Sequence, residues 1–231
     1  MNYKLYEKYG MLGFLGGVLM FAANLFAIHA PDHLLGSVVQ TSWNNIPYWR
    51  FIVSALMGCG AIILFILGFY SLHMMIEETV SSKVIEIIAT AAIFGVASVG
   101  VIHFMSMCIL PISYKSALEA GISPEAASLM VENVEHHLKY IDLILTAFCD
   151  IEGVIIIYLV LSRKAGLPLW TVILNPFTVM ILVELLSKFI SAPYSGSFFE
   201  SLESFGEGFT YLVTYMYFRK EQRESEILQN N

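Results

Sequence analysis

The sequence predicts an all-α integral membrane protein, a bundle of six transmembrane helices with both termini in the cytoplasm and amphipathic segments on the outer side. Three observations carry this reading. Of 231 residues, 57% are hydrophobic and only 13% are charged, against about 25% charged in an ordinary soluble domain. Mean hydropathy is +0.71. Six apolar runs reach the roughly 20 residues that a helix needs to cross a hydrocarbon core about 30 Å thick. The formal net charge of −7 lies largely between these runs, and no basic block of the kind that holds nucleic acid is present. The expected partner is therefore the lipid bilayer, with no nucleic acid.

The chain reads as a single membrane domain, 1–231, with spans at about 11–30, 49–75, 84–112, 138–162, 167–190 and 198–218. The first run follows Lys4 and Lys8, is long for a signal-peptide core and lacks an A-x-A site, so it reads as a retained span. The connection "PDHLLGSVVQTSWNNIPYW" is too apolar for a free loop; Trp43, Tyr48 and Trp49 suit the headgroup region. Runs two and three are long enough to tilt or to project. Ser54 with Gly58, and Ala91 with Gly95, have the four-residue spacing that lets helices approach. Ser123-Pro124-Glu125 is a helix start: a capping hydroxyl, a proline where its missing N–H is harmless, and an acid favourable to the helix dipole. From there a helix runs unbroken into span four, with residues 124–137 outside or along the outer surface. In span five, Asn175-Pro176 loosens the helix by removing one backbone bond.

Lys and Arg settle the expected orientation. Eight of the twelve (Lys4, Lys8, Lys83, Arg163, Lys164, Arg219, Lys220 and Arg223) fall on the side of the termini, and Arg50, Lys115, Lys139 and Lys188 on the other. Cytoplasmic flanks are the basic ones, so both ends are expected inside a plasma (cytoplasmic) membrane.

Charges within the spans mark the candidate site. To reach Arg219 with enough length, span six must begin near Phe198, which forces Glu207 into the bilayer. On a 3.6-residue helix Glu200, Glu203, Ser204, Glu207 and Tyr211 share one side. Glu184 and Lys188 have i,i+4 spacing and pair on one face. In span four Asp150 falls near the middle and Glu152 about 200° around from it; Asp150, which shares a drifting flank with Asp142 and Thr146, is the one assigned to the cavity. A central Asp costs about 2.5–3.5 kcal/mol to insert, so function is the default reading of such groups. The expected ligand- or ion-binding set is Asp150, Glu207, Glu203, Glu200, Glu184, Lys188 and Asn24.

His29, His103, His136 and His137 share the outer side with these acids, with His33 near them. A divalent metal is a second expectation there, held by His103, His29 and Glu207, although no H-E-x-x-H or paired-histidine motif supports it. Cys59, Cys108 and Cys149 are far apart inside apolar runs, without a C-x-x-C pair, and read as small buried hydrophobes. No nucleophile motif points to catalytic residues. The leading function is binding or transport of a cation, an amine or a proton-coupled small molecule. A membrane-embedded, metal-dependent enzyme acting on a lipid-like substrate is one alternative, and a structural or accessory subunit the other.

Overall fold

A computed structural model of the chain describes residues 2–27, 41–80, 82–187 and 195–230. Within these ranges some residues, including Asp142, Asp150, Glu152, Glu184, Glu200 and Glu203, are described by their backbone alone. The described chain is helical and contains no strand. Its helices are α1 (Tyr3–Ala27), α2 (Tyr48–Thr79), α3 (Lys83–Phe104), α4 (Leu110–Glu119), α5 (Pro124–Leu161), α6 (Pro176–Ser187) and α7 (Ser195–Asn230). Among the described residues three helical segments are long and apolar enough to cross a membrane: Tyr3–Phe26, Tyr48–Thr79 and Ile85–Glu119.

The third of these joins α3 to α4 through one π-helical turn, Met105–Ile109, in which the Leu110 N–H donates to the Met105 carbonyl. Pro111 explains the turn. Proline has no N–H and its ring crowds the carbonyl four residues back, and the widened turn just before it lets the helix continue instead of breaking. The helix stops at Gly121, whose φ of +82 favours glycine; the Gly121 and Ile122 N–H groups close onto the Leu118 and Ala117 carbonyls.

The expected start at Ser123 is realised. Its hydroxyl accepts from the Ala126 N–H at 3.3 Å. The Glu125 carboxyl sits below its ordinary range because its own backbone N–H, and then the Ser123 hydroxyl, bind its charged form. With 38 residues, α5 is about 57 Å long at 1.5 Å per residue, longer than the roughly 30 Å of a bilayer's hydrocarbon core.

The first turns of α5 belong to a packed cap. Trp43, from the 3₁₀ turn Thr41–Asn45, and Ile46 just after it bury with Phe51, Leu110, Tyr114, Ala117, Ala127 and Val131. Trp43 is only 4% exposed, so it is a core residue of the cap and not the headgroup anchor that its position near an apolar run suggested; Trp49, 56% exposed, remains at the surface. The Lys115 ammonium binds the Ile46 carbonyl at 2.8 Å over the Tyr48 ring, and Tyr48 donates to Glu119. Cys108 is buried, but Cys59 is exposed, which corrects the expectation that all three cysteines are buried.

The fifth run departs most from expectation. Its residues do not form one helix over 167–190. A 3₁₀ turn, Leu169–Val172, is followed by three non-helical residues, and α6 begins only at Pro176. Asn175 caps it: its Oδ1 accepts from the Thr178 N–H at 3.1 Å, and its Nδ2 donates to the Val172 carbonyl and to Thr178 Oγ1. Asn-Pro thus acts as a helix start and not as a helix-interior interruption, because an Asn cap followed by proline at the first position satisfies both residues' preferences.

Candidate functional site

The site is organised around a seam of glycines where α1, α2 and α7 meet. Gly13 and Gly17, four residues apart on α1, present bare backbone. A Cβ at Gly17 would fall on the Gly208 Cα of α7, and one at Gly13 would lie 2.6 Å from both the Gly68 Cα of α2 and the Tyr211 Cγ. Membrane helices associate by this kind of close backbone approach. At Gly10 a Cβ would meet the Tyr215 N at 2.6 Å, so the contact extends along α1.

The seam seats Tyr211. Its fully buried ring lies against Gly13, Gly68 and Phe65, and its hydroxyl donates to Glu207 Oε1 at 2.8 Å, one turn back along α7. Glu207 itself is 6% exposed. One turn further, Ser204 accepts from Asn24 Nδ2 of α1 at 3.1 Å. The other end of that amide is different: Asn24 Oδ1 is buried and receives no hydrogen bond among the described residues. A buried acceptor without a donor costs about 1–3 kcal/mol, which calls for an explanation.

From Asn24 a polar layer continues across the bundle. Ser54 of α2 donates to the Ala23 carbonyl at 2.8 Å. His103 of α3 lies 3.0 Å from the Ser54 carbonyl through Nε2, its ring resting on Gly58. The expected Ser54/Gly58 contact is therefore real, and its occupant is an imidazole. Nε2 faces a carbonyl and so carries the proton there. Arg50 donates twice to the Phe26 carbonyl, at 2.7 and 3.0 Å, satisfying an acceptor in the last turn of α1.

At the opposite end the same three helices are tied by groups that sequence reasoning did not single out. Glu78 of α2 accepts from Tyr3 of α1 at 2.9 Å and from Tyr217 of α7 at 3.2 Å, while Ser71 bonds the Tyr6 carbonyl and Thr214. Ser71 and Glu78 are seven residues apart on one face of α2, but no local pattern pairs them with Tyr3, Thr214 or Tyr217.

Of the expected binding residues, Asn24 of α1 bonds Ser204 of α7, three residues before Glu207. Asp150 is on α5, Glu184 on α6, and Glu200 and Glu203 on α7, each placed by backbone alone. Lys188 and His29 lie outside the described residues. For the expected metal set, His103 is engaged by α2 and Glu207 by Tyr211, and no three His, Cys, Asp or Glu side chains gather as metal ligands among the described residues.

Fold and site together define an all-helical protein with membrane-length helices and a buried, acceptor-rich polar layer. The chain belongs to the family described as a family of unknown function, DUF6796, whose model matches residues 1–221. No curated protein and no solved structure matches it.

Proposed function

We propose that this protein binds a small cation or amine inside the bilayer and carries it across, with Glu207 as the deep charged group. In this reading six segments cross a plasma membrane, α6 completing its crossing with the turn before it, and both termini are cytoplasmic. Asp150 shares the deep position, and Glu200 and Glu203 form the outer approach on the same helix as Glu207.

The observation that carries the reading is a buried acceptor on α1 that lacks a donor among the described residues, held against the turn of α7 that leads to Glu207. Asn24 Oδ1 is buried and unsatisfied, and its amide is held by Ser204, three residues before Glu207 on α7. A protonated amine brings N–H donors and a positive charge, which would serve this acceptor and the carboxylate together. Buried acids within a membrane mark ion or substrate paths by default. The inner half of the bundle supports a closed inner side: Phe65, Phe69, Leu72, Met75 and Ile76 of α2 pack against Ile156, Leu159 and Phe218 in one apolar core, with Glu78 and its tyrosines beyond it.

The test is thermal unfolding of the full chain in mild detergent with methylammonium as the probe, in choline buffer. Ligand at about 100 times its Kd stabilises by about 2.7 kcal/mol, or several degrees in Tm for a chain of this size. Wild type is expected to show that protection and Glu207→Gln to unfold normally without it. Equal protection of both proteins by methylammonium would remove Glu207 from the reading, and protection of neither would remove the amine.

A further inference from the structure

The break before α6 lies deep in the bundle. A Cβ at Gly206 of α7 would meet the Pro176 Cα at 3.0 Å, and one at Gly153 of α5 would meet Asn175 Oδ1 at 3.0 Å and Phe177 Cβ at 2.9 Å. Gly206 precedes Arg219 by thirteen residues and Gly153 precedes Arg163 by ten, which at 1.5 Å per residue is about 20 and 15 Å. Asn175 and Pro176 thus lie near the middle of a core about 30 Å thick, where a bilayer supplies no water to unpaired backbone.

Most of the unwound backbone is satisfied locally. The Pro168 carbonyl accepts from Thr171, Trp170 from the Ile173 N–H, Val172 from Asn175 Nδ2, and Asn175 from the Val179 N–H. The carbonyls of Ile173 and Leu174 receive no hydrogen bond among the described residues. On α7, Thr210 is 1% exposed and its hydroxyl has no partner among the described residues. Thr210 follows Gly206 by four residues, so it leaves α7 on the face that packs against Pro176.

From these features we propose that a sodium ion binds at the break, between the Ile173 and Leu174 carbonyls and the Thr210 hydroxyl. This rests on the bilayer placement above and names the ion that accompanies the amine at Glu207. The donor set is oxygen only, which suits a hard cation and not a transition metal. Glu207 lies three residues from Thr210, and with Asp150 as the second deep acid of the proposed function two negative charges balance the amine and one monovalent ion, where a divalent ion would leave excess charge in the membrane. An anion at the positive end of α6 is disfavoured because Asn175 Oδ1 already takes the Thr178 N–H. Unwound carbonyls at a mid-membrane helix break are a general solution for holding sodium.

The test uses the full chain in detergent, compared in sodium chloride and choline chloride at equal ionic strength, together with ²²Na⁺ scintillation-proximity binding. Saturating sodium is expected to raise the wild-type Tm by about 3 °C or more and to give saturable ²²Na⁺ binding. Thr210→Val should lose both effects and Thr210→Ser retain both. Identical melting in the two salts without ²²Na⁺ binding, or a sodium response that survives Thr210→Val, overturns the site. Should Thr210→Val yield no folded protein, wild type and Thr210→Ser decide it: absence of ²²Na⁺ binding from both is a refutation, saturable binding to both is support. Methylammonium protection measured alongside in choline reports on Glu207, so losing the sodium response while keeping that protection contradicts this site and leaves the amine reading standing.

Discussion

Gly17→Ile is expected to leave little or no folded protein, and Gly17→Ala to lower stability by about 1–3 kcal/mol, the usual cost of forcing one extra group into a close-packed contact. The reason is the identity of the neighbour. The added carbon meets the backbone of Gly208, which cannot rotate away as a side-chain tip would. Gly60, on α2, is the control. A Cβ there meets only Leu19 Cδ2 at 3.5 Å, an ordinary contact, so Gly60→Ala should fold and gain slightly from alanine's lower conformational freedom in the unfolded chain. Size-exclusion profiles and melting in detergent distinguish the cases. A monodisperse Gly17→Ile protein with wild-type Tm would show that α1 and α7 do not meet through their glycines.

Tyr211→Ala is the second large effect, a loss of about 3–5 kcal/mol as expected for emptying a large aromatic site. Its ring fills the space left by Gly13 and Gly68 and touches Phe65. Tyr211→Phe separates that packing from the hydroxyl on Glu207. The Phe protein should remain folded and change the methylammonium concentration needed for half-maximal protection, since one donor is lost from the carboxylate. Equal destabilisation by Ala and Phe would place the contribution in the hydroxyl and contradict a role for the ring in the seam.

The membrane class, the long helices and the Ser123 start were legible because each rests on local chemistry: apolar length, proline at a first turn, a hydroxyl at a cap. From span length Glu207 is expected away from water, and its side chain is buried. Neighbours were not legible. Gly13 and Gly17 have the same four-residue spacing as Ser54 and Gly58, yet nothing in the spacing says that Gly208 and Gly68 face them. Glu78 takes its two tyrosines from 75 and 139 residues away, beyond any local pattern. Trp43 looked like an anchor because the cap that buries it is assembled from α4 and α5. Asn175-Pro176 carried two compatible readings, a kink and a start, and the capping bonds of Asn175 decide between them.

In the proposed function Glu207 itself meets the cation. Infrared difference spectroscopy of the protein in a lipid film, perfused alternately with choline and methylammonium buffers, observes that carboxyl directly. Wild type is expected to give a methylammonium-induced difference band in the carboxyl region that disappears in Glu207→Gln while the amide bands of folded helix stay unchanged. The same carboxyl band in both proteins, or none in wild type under conditions where methylammonium binds, would contradict the account.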